Sequence, residues 1–148
     1  MYMYNYKKIV ATIILVVVMV FSAVAYADSH TKNKLVIQVS SADPLTQKIA
    51  LNNAVNLQKM YGIDNISIEI VAYGPGLGLL TMNSLQASRV TSLVLQDITF
   101  SACGNTMENI EKKTGKAPVL LEGVGMVMAG VARIMELQQQ GYAHSTLK

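Results

Sequence analysis

The sequence of 148 residues holds a single cysteine, Cys103, so no internal disulfide can form. With only His30 and His144 beside that cysteine, a four-ligand structural zinc site is also out of reach, and the sequence predicts no metal and no cofactor. Charge is sparse, at 14% of residues, and the formal net charge is +3. Nucleic-acid binding therefore lacks electrostatic support. The short basic run Lys112, Lys113 and Lys116 stands next to Glu111 and reads as a solvated helix face. Neither internal repeats nor low-complexity segments occur.

What the chain has is apolar residues, 51% of the total, enough for one core in one domain. They begin early. Lys7 and Lys8 precede an apolar run from Ile9 to Phe21, followed by the small residues Ser22, Ala23 and Ala25, the layout of a secretory signal peptide. Ala25-Tyr26-Ala27 fits a cleavage site, which makes residues 1–27 the signal and residues 28–148 a mature domain of 121 residues. Loss of Lys7 and Lys8 leaves ten basic against nine acidic residues, a net charge of +1. The competing reading is a retained anchor, since the run approaches the ~20 apolar residues that span a bilayer. Without a cysteine at the processing site or a paired arginine, Sec export to the periplasm or the exterior is the simplest route.

Downstream, Leu35 to Val39 is short and β-branched, as a central strand buried on both faces should be. Asp43 is placed to cap a helix that starts on Pro44 and runs to about Tyr61, with Gly62 as a left-handed cap. Ile66 to Val71 alternates, with Ser67 and Glu69 opposite the isoleucines, which predicts an edge strand. A glycine loop, Gly74-Pro75-Gly76-Leu77-Gly78, follows, then a helix capped by Asn83 or Ser84 and running to about Leu95. Ile98 to Cys103 is the next strand, and Gly104-Asn105-Thr106 turns the chain into a charged helix. Val124 to Met128 is predicted as the last strand, ended by Gly130. A closing helix with Val131, Ile134, Met135 and Gln138 on adjoining faces stops at Gly141, before a polar tail. This alternation calls for a three-layer α/β sandwich around a mostly parallel sheet of four to five strands, with flavodoxin-like topology.

Sites in such sheets form beyond the carboxyl ends of the strands. Three loops qualify: Ser40 to Asp43, Tyr73 to Gly78 and Cys103 to Thr106. At Cys103 two readings stand side by side. A following helix N-terminus would favour its thiolate, the form that attacks sulfur, whereas a free cysteine commonly serves as a small buried filler. His30 and His144 lie near the termini, so no partner base can be placed beside it. The glycine loop does not match a nucleotide site, because Leu79 stands where the dinucleotide fingerprint has its third glycine and no Walker lysine follows. Asn52 and Asn53 are amides within a helix, suited to buttress a neighbouring loop. Met126, Met128 and Met135 read as core filler.

Taken together, Leu51-Asn52-Asn53-Ala54, Val71-Ala72-Tyr73-Gly74-Pro75-Gly76-Leu77, Ala102-Cys103-Gly104-Asn105-Thr106-Met107 and Ala129-Gly130-Val131 resemble the DsrE/DsrF-like family, over about Lys34 to Tyr142. The resemblance implies the same parallel-sheet fold, a homo-oligomer (trimer or hexamer), and sulfur-relay subunits that carry persulfide on a cysteine. It makes Cys103 the candidate sulfur acceptor, with Asn53, Tyr73, Gly74, Gly76, Gly104, Asn105 and Thr106 as candidate binding residues. A sulfur-donor or acceptor protein is then the expected partner. The alternative is a non-catalytic oligomeric module that binds a small ligand or another exported protein and keeps a buried structural cysteine.

Overall fold

The computed structural model describes residues 32–147. The predicted signal segment, its cleavage site and His30 lie outside the described residues. The rest folds around a five-stranded, all-parallel sheet. Its strands are β1 (Asn33–Val39), β2 (Ile66–Ala72), β3 (Ile98–Cys103), β4 (Gly125–Val127) and β5 (Ala143–Thr146). The helices are α1 (Pro44–Tyr61), α2 (Ala87–Val94), α3 (Gly104–Thr114) and α4 (Gly130–Gln139). In space the strands run β4-β3-β2-β1-β5.

That order fixes the layers. From β1 to β4 each crossover moves one strand along in the same direction, so a right-handed connection lays α1, α2 and α3 on one face. The last crossover returns past the whole sheet, and α4 must lie on the other. The core divides accordingly. Ile37, Val39, Ile68, Ile70, Phe100 and Ala102 pack under α1 and α2, while Val36 and Val71 pack under Ile134 and Leu137 of α4. The α4 layer is thin, one helix over a stripe of the sheet.

Local signals set the ends of α1 and the shape of the loop after β2. Asp43 accepts a hydrogen bond from the Thr46 N–H at 2.7 Å, capping α1 as predicted, and the capping amide holds its carboxyl below the ordinary range. Gly62 has a positive φ of 86° but an extended ψ of 147°, so it ends α1 outside the left-handed helical region in which it was expected. The glycine loop is a turn of 3₁₀ helix, Gly74–Leu80. At Gly76 a Cβ would stand 2.2 Å from the Val39 carbonyl oxygen, so only glycine fits where β1 and this turn touch.

Six further expectations are corrected. α2 begins at Ala87 after Gln86 with no side-chain cap, so neither Asn83 nor Ser84 caps it. β2 is a central strand, because its alternation marks a buried polar face and not an exposed one. The polar tail forms β5, since the free edge of β1 offers backbone partners that need no apolar side chains. Gly130 begins α4 instead of ending β4. The buried face of α4 is Gly130, Ile134 and Leu137, with Val131 and Met135 exposed. Finally, Met126, Met128 and Met135 are not core residues, Met128 being 85% exposed.

Candidate functional site

Parallel strands deliver all their carboxyl ends to one edge of the sheet, and a crevice opens where neighbouring strands send their chains to opposite faces. Here that point lies between β3, which leads into α3, and β4, which leads into α4. Cys103 is the last residue of β3, paired in register with Val127 of β4. It stands at the divergence.

Strand alternation aims its side chain. Phe100 and Ala102 pack under the three-helix layer, so Ser101 and Cys103 face α4. The cysteine is free and 5% exposed. Burial pushes its thiol up, yet the thiol is held below its ordinary value, because the Thr106 hydroxyl and the N–H groups of Gly130, Thr106 and Asn105 favour the thiolate. Cys103 is the N-cap residue of α3 although its thiol closes no capping bond there, and of these donors the Asn105 N–H is shared with the Met128 carbonyl. They come from the first turns of two helices, α3 and α4.

The Thr106 hydroxyl has a defined polarity. Its oxygen accepts the Gly74 N–H at 2.9 Å, which leaves the hydroxyl proton free to be donated to the Cys103 thiolate. Gly74 thus acts one bond removed from Cys103. It adopts a φ of 52°, which glycine accommodates without strain. Gly104 passes so close to β4 that a Cβ would lie 3.2 Å from the Val127 carbonyl oxygen. Asn105 ties the same crossing by donating its N–H to Met128 at 3.0 Å. A Cβ on Gly130 would come within 3.1 Å of the Tyr73 side chain and 3.4 Å of the Cys103 Cβ, so bare backbone packs against both.

Of the predicted residues, Tyr73, Gly74, Gly104, Asn105 and Thr106 gather around Cys103. Gly76 supports them from below, against β1. Asn53 does not join them, for it stands on α1, against the opposite face of the sheet. Its neighbour Asn52 buttresses a helix and not a loop, accepting from Arg89 of α2 at 2.6 Å. His144 is ordered on β5 and contacts Gln38 at 3.0 Å, and Gln38 donates in turn to the Tyr73 hydroxyl. A groove of about 370 Å³ opens beyond Thr106, lined by Gly74, Pro75, Thr106, Asn109, Ile110 and Lys113. Among the described residues, no three His, Cys, Asp or Glu side chains gather as a metal site.

Sequence reasoning missed one cluster. Glu69 of β2 is 4% exposed and accepts from Ser101 at 2.6 Å and from Arg133 of α4 at 2.9 and 2.8 Å. The Glu69 carboxylate pushes the Arg133 guanidinium further above its already high value. Its signal was present. A carboxylate inside the β-branched run Ile66 to Val71 of a parallel sheet needs a charge partner, and Arg133 is the one basic residue of the closing helix.

No family model matches the chain, and no curated protein matches it. Among solved structures it is similar to MTH1491 from Methanobacterium thermoautotrophicum, a protein of unknown function. The two are 29% identical, the match covers 77% of this chain and 98% of that chain, and the TM-score is 0.70. The α/β sandwich with a parallel sheet is therefore shared with a natural protein of nearly the same length as the matched region.

Proposed function

We propose that this protein is an exported sulfur carrier of the DsrE/DsrF-like type, in which Cys103 accepts sulfane sulfur and passes it on. One observation carries the reading: donors from two helix N-termini and the Thr106 hydroxyl converge on a lone cysteine and favour its thiolate. The step is an exchange without net oxidation. The Cys103 thiolate attacks the outer sulfur of a donor persulfide, the donor's S–S bond breaks, its inner sulfur leaves as a thiolate, and Cys103 holds the new S–S bond. Transfer to an acceptor thiolate reverses the roles. The persulfide anion inherits the same donors, with Gly104 letting the chain cross close to β4.

A second reading is favoured by one observation, the 5% exposure of Cys103. In it the cysteine fills space, and the groove beside Thr106 binds a small ligand or another exported protein. Self-association, as a trimer or hexamer, belongs to either reading. It is supported by the exposed apolar side chains Met128, Val131 and Met135, the last two one turn apart on α4.

Intact-mass analysis of the exported protein, before and after polysulfide, tests these points together. The carrier reading expects a mature chain beginning at Asp28 and a reducible gain of sulfur mass on wild type but not on Cys103→Ser. Native wild type that gains no mass sinks it in favour of the binding module, and retention of the full precursor mass sinks the cleavage. Native mass spectrometry of the same sample reads the subunit number, and a monomer refutes the assembly.

A further inference from the structure

The Glu69–Arg133 pair, a buried carboxylate with a partly exposed guanidinium, does not line the groove beside Thr106, and the persulfide chemistry proposed above makes no direct use of it. It spans the two layers that meet at Cys103. Glu69 is held in the sheet by Ser101, two residues before the cysteine on the same face of β3. Arg133 is the fourth residue of α4, and its own N–H closes that helix's first turn on Ala129 at 3.0 Å. Gly130, which opens this turn, packs its bare Cα against the Cys103 and Tyr73 side chains. Ala129 supplies no side-chain cap, so nothing at the helix end itself fixes where the Gly130 N–H points.

We propose that the Glu69–Arg133 clamp is a positioning device: two guanidinium bonds to a carboxylate fixed in the sheet hold the first turn of α4, and with it the Gly130 N–H, against the Cys103 sulfur. A fork of two parallel bonds fixes direction as well as distance, which a lysine at the same place could not do. Glu136 holds the outer side of the same guanidinium, at 3.4 Å. Glu69 and Arg133 are thus positioning residues, acting on sulfur only through the backbone of α4. This rests on the reading of Cys103 as a working thiolate, but its test does not.

The ¹³Cβ resonance of the sole cysteine reports its ionisation whether or not reagents reach it, and its titration in wild type and Glu69→Gln decides the matter by sign. Removing a negative charge near a thiol should by itself lower the thiol pKa. Loosening the clamp withdraws the Gly130 N–H and should raise it. We expect a rise of about one unit, a tenfold loss of thiolate at pH values below both titrations. The charge-neutral pair Glu69→Met with Arg133→Met restores apolar packing, removes the fork, and gives a second, independent reading if Glu69→Gln does not fold. It too should raise the pKa. Arg133→Lys, which keeps the charge and loses the fork, should fall between. An unchanged or lowered pKa in a folded variant overturns the proposal. Wild type that takes up no sulfur while its thiol still responds to the clamp would refute the carrier and leave the clamp standing, and the converse result would do the opposite.

Discussion

At the scale of the residue, Cys103 combines two features that usually oppose each other, burial and a depressed thiol pKa. The donors outweigh desolvation, so folding binds the thiolate more tightly than the thiol, and stability becomes linked to pH. For an acid whose folded pKa is lowered, the contribution is complete above the unfolded value and is lost as pH falls through the folded one. Compared with Cys103→Ser, wild type should therefore gain stability as pH rises through the folded thiol pKa and level off above the ordinary value of 9.0. Urea denaturation of both proteins across that range checks it, and a flat difference would mean that the donors do not act on sulfur. The residues around Cys103 were legible because their types are unusual: glycines at a strand end and a threonine one turn into a helix. Thr106 could be picked out, but not its acceptance of the Gly74 N–H, which depends on two loops meeting across 32 residues.

Elements were legible where local chemistry alone sets their ends. Strand β3 has the predicted limits, and α1 begins on Asp43 and Pro44, because turn and cap residues act within a few positions. Where tertiary pairing decides, pattern reading failed. The alternation in β2 has the same period for a polar face in water as for a polar face under an arginine, and only α4 distinguishes them. That difference has an energetic consequence. Arg133→Met leaves a carboxylate under α4 without its cation and should cost about 3–5 kcal/mol, toward the lower end because the guanidinium is partly exposed. Adding Glu69→Met should return most of that loss, since an apolar pair of similar size needs no solvation. Chemical denaturation of the single and double variants measures both, and a double variant no more stable than the single one would mean that Ser101 or Glu136 carries the interaction.

For the domain as a whole, α/β alternation predicted the class correctly, but the place of each strand depended on which edges were free. The sheet has two, and the chain treats them differently. The β4 edge is short, three residues, and carries exposed methionine. The other edge is closed by β5, whose His144 meets Gln38 of β1 across 106 residues of sequence. Truncation after Tyr142 should therefore uncover the flank of β1, whose Val36, Ile37 and Val39 are fully buried, and produce soluble aggregates visible by light scattering. A truncated chain that stayed monodisperse would show that β1 needs no cover. The arrangement also sets an order of events. Among the described strands β1 is delivered first by any tunnel or pore that releases the chain from its N-terminal side, and β5, which shields its far edge, follows the other four. Until β5 is free to pair, that flank of β1 stays open and exposed to neighbouring chains.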